Sequence, residues 1–110
     1  MARNTLTARG NLARWTGEAG DPAAARDLFA ELLPVKERIL GLEHPDTMLA
    51  RTNLAGWTGE AGDPAAARDL FAELLPVIDQ VLGPEHPHTL TTRIGLADWA
   101  MRAKRGSNTA

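Results

Sequence analysis

The segment Thr16–Val35 reads TGEAGDPAAARDLFAELLPV, and the same twenty residues recur without a change at Thr58–Val77. An internal period narrows the accessible folds sharply, because one unit must take the same conformation each time and bury its apolar side against its neighbours. The offset is 42 residues, and the register extends outward. TLTARGNLARW at Thr5–Trp15 aligns with TMLARTNLAGW at Thr47–Trp57 and with TLTTRIGLADW at Thr89–Trp99, so Trp15, Trp57 and Trp99 share one repeat position. Residues 1–104 therefore read as one repeat domain, with units at about 5–46 and 47–88, a half unit at 89–104, and a polar tail at 105–110. Identity over twenty residues marks either a recent duplication or a consensus imposed by design.

Each unit has the period of two helices. Leu54, Trp57, Thr58 and Ala61 fall at i, i+3, i+4 and i+7, and Ala67, Leu70, Phe71, Leu74, Ile78, Val81 and Leu82 continue a helical stripe over several turns. Between them, Gly62-Asp63-Pro64 supplies a helix stop, an N-cap and a first-turn proline. Gly83-Pro84-Glu85-His86-Pro87 marks the other junction. Strand-like alternation is scarce. The spacing predicts five helices, near 4–18, 22–40, 45–60, 64–82 and 87–104. The fold class is all-α, a right-handed superhelical solenoid of antiparallel hairpins. Pro34 and Pro76 lie inside the second helix of each unit, where the stripe continues past them, so a bend rather than a stop is predicted. The tryptophans fall on the apolar stripe and read as core, with Trp57, flanked by units on both sides, the most buried.

Unit two resembles a tetratricopeptide repeat, through Leu54-Ala55, Gly62-Asp63, Ala67 and Phe71 at that family's relative spacing. It departs from the pattern at Thr58, where an aromatic is usual, at Arg51 in place of the early tryptophan, and in a period of 42 rather than the common 34. The longer unit, with Asn-Leu-Ala in its first helix and Leu-Gly-x-Glu-His-Pro at its exit, is similar to the kinesin light chain type. It also resembles the arrays that follow NB-ARC-type ATPase domains in actinobacterial signalling proteins. The resemblance implies a protein-interaction module whose first helices line a concave groove for a peptide or partner domain. By that resemblance the asparagine of Asn-Leu-Ala faces the groove. The groove residues it implies are Asn11, Arg14, Glu18, Asn53, Glu60, Asp98 and Arg102, with the asparagine ladder broken at Gly95. Gly10, Gly17, Gly56 and Gly59 would leave room for a ligand's approach.

The remaining chemistry is sparse. Twelve Lys plus Arg against fourteen Asp plus Glu give a net charge of −2, without the basic excess of a nucleic-acid binder. There is no cysteine. No apolar run nears the ~20 residues a membrane span needs, and no secretory signal is visible, so no membrane partner and a cytoplasmic location are expected. The pairs Gly17/Gly20 and Gly59/Gly62 lack the Lys-[Ser/Thr] of a phosphate loop and read as helix–helix turns. His44, His86 and His88 offer too few ligands for a tetrahedral metal, and the two that precede prolines suit helix starts. No catalytic role and no cofactor are expected. The ends carry a second expectation, of function as a structural or self-associating array. Leu6, Leu12 and Trp15 stay apolar where no preceding hairpin covers them, and Leu96 and Met101 lack a following helix, which suggests a weak homodimer. Ala100-Met101-Arg102 replaces the Thr-Gly-Glu of the other units and reads as a partial cap.

Overall fold

The computed structural model describes residues 2–108, which form α1 (Ala2–Glu18), α2 (Pro22–Leu40), α3 (Pro45–Glu60), α4 (Pro64–Leu82) and α5 (Pro87–Asn108), with no strand among them. The punctuation acts as local chemistry requires. Asp21 and Asp63 cap α2 and α4, their Oδ1 atoms accepting from the backbone N–H of Ala24 at 3.1 Å and of Ala66 at 3.0 Å. Each is followed by a proline, which has no N–H to lose at that position. Gly20 and Gly62 make the turns with φ of 108° and 110°, values that side-chain-bearing residues rarely adopt. Histidine serves as the cap at the other junction. Nδ1 of His44 accepts from the N–H of Asp46, and Nδ1 of His86 from the N–H of His88, both at 3.1 Å.

The bounds of α2, α3 and α4 agree with the sequence prediction residue for residue. Helix α1 begins two residues earlier than predicted, and α5 runs on to Asn108, through most of the segment read as a polar tail. Nothing in Lys104-Arg105 stops a helix, and Arg105 in the last turn complements the helix dipole. Helices α2 and α4 pass unbroken through Pro34 and Pro76. Both prolines, and Ala30 and Ala72 four residues earlier, lie on exposed faces, so the carbonyls that lose a donor can turn to water.

The helices pack in chain order, α1 on α2, α2 on α3, α3 on α4 and α4 on α5, while successive first helices touch only lightly. This is a two-layer solenoid, 49 × 32 × 19 Å, whose short dimension fits two helix diameters. Leu6, Ala13, Phe29 and Leu32 form one core cluster. In the second unit the matching positions divide between two clusters, Met48 and Leu74 with Ile78 in one and Ala55 and Phe71 with Ala67 and Trp99 in the other.

Three expectations are corrected here. The most buried tryptophan is Trp99, 6% exposed, while Trp57 is half-buried and Trp15 is 57% exposed. Each indole leans back onto the preceding unit, Trp57 onto Gly17 and Trp99 onto Gly59, so closely that a Cβ at either glycine would lie 2.6 Å from a ring carbon. Among the described residues no glycine receives the Trp15 ring in this way. Trp99 is further covered by the Arg102 guanidinium, 4.3 Å from its ring centre, where Trp57 has Glu60 at the matching position. The room at Gly17 and Gly59 is therefore taken by indoles. Gly56 alone of the four faces open space, with Leu32 at 3.8 Å from a Cβ at Gly10. Finally, Leu6 is buried against its own unit, leaving Leu12 and Trp15 as the open apolar residues of α1. At the other end Met101 is exposed as expected, with Leu90 and Ile94, whereas Leu96 is half-buried against the cluster of Phe71 and Trp99.

Candidate functional site

The first helix of each unit contributes the same positions to one side of the stack. One row reads Arg14, Gly56, Asp98; the next, a turn later, reads Glu18, Glu60, Arg102; a third reads Asn11, Asn53, Gly95. A cleft of about 520 Å³ opens across α1, α3 and α5, and Arg14, Glu18, Asn53, Glu60 and Asp98 all line it. Thr52 and Gly56 lie in the same lining, and Trp57, Phe71 and Trp99 supply its aromatic surface. Its volume falls within the ~300–1,000 Å³ common for ligand sites. Asn11 lies beside it, in a smaller depression of about 180 Å³ shared with Arg14 and Asn53. Arg102 is outside the lining proper. It reaches Asp98 at 3.1 Å on its own helix and Glu60 at 3.5 Å one unit back.

The asparagine ladder stops at Gly95, and an aromatic ring fills the space there. The Phe71 ring occupies the space beside Gly95, where a Cβ would come within 2.8 Å of it. Asn11 and Asn53 are half-buried, and neither side-chain amide is engaged by another described residue. Each amide thus keeps a donor and an acceptor free, the pairing a peptide backbone needs. The charges are arranged in exposed pairs. Arg14 lies 3.8 Å from Glu18 one turn along α1, and every member of the pairs made by Arg14 and Arg102 is about half exposed. Such pairs are worth about 0–1 kcal/mol each and rearrange at little cost. Three carboxylates face two guanidinium groups, so the site is slightly acidic.

Most of the polar residues named from the sequence line this cleft, while its aromatic lining was read from the sequence as core alone. Trp57, Trp99 and Phe71 read as core, and they are core, but they also face the cleft. The available signal was the glycine two residues after each of the first two tryptophans, which permits an indole from the next unit to lie across the first helices. Among the described residues no group of three His, Asp or Glu converges on a metal-sized space, and no helix is long and apolar enough to cross a membrane.

Comparison with known proteins agrees with this geometry. No curated protein matches the chain. A family model described as tetratricopeptide repeat matches residues 4–77, which spans both full hairpins except the end of the second. On that match, and on a stack of five helices with a 42-residue period, the chain belongs to the tetratricopeptide repeat family.

Proposed function

We propose that the chain is a protein-interaction scaffold that binds an extended peptide, or an extended segment of a partner protein, in the cleft across α1, α3 and α5. Repeats of this family generally mediate protein–protein contacts. The observation that carries the finer reading is the pair of unengaged amides, Asn11 and Asn53, on the same face as the aromatic cleft. Arg14, Glu18, Glu60, Asp98 and Arg102 would then choose side chains, while the two amides hold backbone. No catalysis, cofactor or nucleic acid belongs to this reading, and a cytoplasmic location accompanies it. The 42-residue period and the Asn-Leu-Ala of α1 and α3 support a place among repeats of the kinesin light chain type, and an origin in an NB-ARC-associated array. The test is selection of binders from a displayed peptide library. Asn53→Ala should weaken the selected peptides about tenfold while leaving the melting temperature within a few degrees. Binding indifferent to Asn53 would remove the groove from the account.

A second reading has its own observation. Leu90, Ile94 and Met101 are exposed along one face of α5, at i, i+4 and i+11. In α3 the residues matching Leu90 and Met101, Met48 and Gly59, are buried. This face supports weak homodimerisation through the end of the solenoid, alongside groove binding.

A further inference from the structure

The repeat makes each junction a comparison for the other, and one polar position differs between them in a telling way. At the junction of α3 and α5, the Arg102 guanidinium lies 4.3 Å from the centre of the Trp99 ring. It is held by Asp98 at 3.1 Å on its own helix and by Glu60 at 3.5 Å on the preceding one. An arginine in this setting gains from the ring's negative face and from two carboxylates together. Moving back 42 residues gives the junction of α1 and α3. Trp57 takes the place of Trp99, and Glu18 takes the place of Glu60. The guanidinium is gone, because Glu60 stands where Arg102 would be, and Gly56 stands where Asp98 would be, with open space beside it.

Accepting the groove reading above, we infer that the cleft between α1 and α3 takes an arginine side chain of the partner, over the Trp57 indole and between the carboxylates of Glu18 and Glu60. The chain's own Arg102 displays the arrangement one unit later. Glu18, Gly56, Trp57 and Glu60 all line the same cleft, so the ring, the carboxylates and the vacant volume are contiguous. Among the described residues only Arg14 and Arg102 stand over indoles, and those are Trp15 and Trp99. Both carboxylates already have an arginine neighbour, Glu18 through Oε2 to Arg14 and Glu60 through Oε1 to Arg102. These contacts are long and solvent-exposed, and each uses one oxygen, so a third guanidinium between the carboxylates shares them without unpairing a buried charge. Its arrival brings the local balance of three carboxylates and two guanidinium groups to neutrality. Arginine is favoured over lysine because its flat, weakly hydrated head stacks on an indole while its edges donate to both sides.

The test is a titration of the whole chain with acetyl-Gly-Arg-Gly-amide, followed through the three indole N–H signals by NMR. The control probe is acetyl-Gly-citrulline-Gly-amide, which keeps the shape and loses the charge. The arginine probe should shift the Trp57 signal saturably, and the citrulline probe should bind about tenfold more weakly. Glu18→Gln should weaken the arginine probe several-fold. Glu60→Arg places the chain's own guanidinium over Trp57 and should abolish the response, with helix content by circular dichroism unchanged in both variants. Equal affinity for the two probes, a response confined to Trp15, or indifference to Glu18→Gln overturns the inference. The peptide selection separates this outcome from failure of the groove itself. Selected peptides that need Asn53 but carry no enriched arginine leave the groove standing and remove the arginine site. Arginine-rich peptides indifferent to Asn53 remove the groove as drawn, and the site with it.

Discussion

At the scale of single residues, the tryptophan and glycine of neighbouring units behave as one part. Alanine usually stabilises a helix interior relative to glycine by roughly 0.5–1 kcal/mol. Gly56→Ala should follow that rule, since its Cβ would meet nothing within 4 Å. Gly59→Ala should reverse it, because the same methyl would lie 2.6 Å from ring carbons of Trp99. Overpacking of that kind costs about 1–3 kcal/mol. Urea denaturation of the two variants decides the matter, and like signs would show that the indole has room to move. The tryptophans themselves should rank by burial. Trp99→Ala is expected to cost about 3–5 kcal/mol, as for other buried aromatics, Trp57→Ala less, and Trp15→Ala within about 0.5 kcal/mol. A larger loss for Trp57 than for Trp99 would contradict the packing. That ranking was not legible in the sequence. Identical positions in a repeat suggest equal roles, and the number of flanking units favoured Trp57. Burial depends instead on which neighbour the indole leans toward and on what covers it, and both are properties of the stack. That the polar residues share one face was legible, because helical spacing fixes a face whatever the packing partner.

At the scale of elements, the helix bounds were readable wherever the punctuation is local. Gly20-Asp21-Pro22 and Gly62-Asp63-Pro64 set a turn, a cap and a start within three residues, and the bounds of α2 and α4 follow. The start of α1 and the end of α5 lack such signals, and there the prediction missed. The proline inside α4 shows how an element tolerates a poor residue. Proline in a helix interior is about 3 kcal/mol worse than alanine, chiefly through a lost hydrogen bond and a clash with the carbonyl four residues back. Pro76 and Ala72 both face solvent, which lets that carbonyl tilt outward and softens the cost. Proline also restricts the unfolded chain, which returns roughly 0.4–1 kcal/mol. Pro76→Ala should therefore stabilise by about 1–2 kcal/mol, read from the denaturation midpoint, with Pro34→Ala similar because the flanking sequence is the same. A loss of stability would mean that proline at this position helps α4 to meet both α3 and α5.

At the scale of the whole molecule, the two ends of the solenoid are not complementary, and this fixes the kind of assembly they permit. Within the chain, a tryptophan docks on a glycine of the preceding unit. A second copy stacked head to tail would bring Trp15 to the position of α5 that matches Gly59. That position is Met101, so even its Cβ occupies the space the indole requires. Head-to-tail growth is therefore disfavoured, and with it the open filaments that heterologous contacts produce. What remains is a like-with-like contact. Leu90, Ile94 and Met101, at 43%, 69% and 57% exposure, form an apolar stripe along α5 that two copies can bury against each other in antiparallel register. A stripe of one helix is small beside the ~800 Å² per partner of a stable interface, so the dimer should be weak. Light scattering should give a mass near 11.8 kDa at low concentration, rising toward twice that value and no further. Ile94→Glu should hold the mass at the monomer value throughout, because it sets two carboxylates near each other in the contact. Trp15→Ala should leave the rise unchanged. A constant mass in the parent chain would show that the stripe is solvated and inert. Growth beyond the dimer, or sensitivity to Trp15 instead of Ile94, would show that the opposite end carries the association and that Met101 yields to the indole.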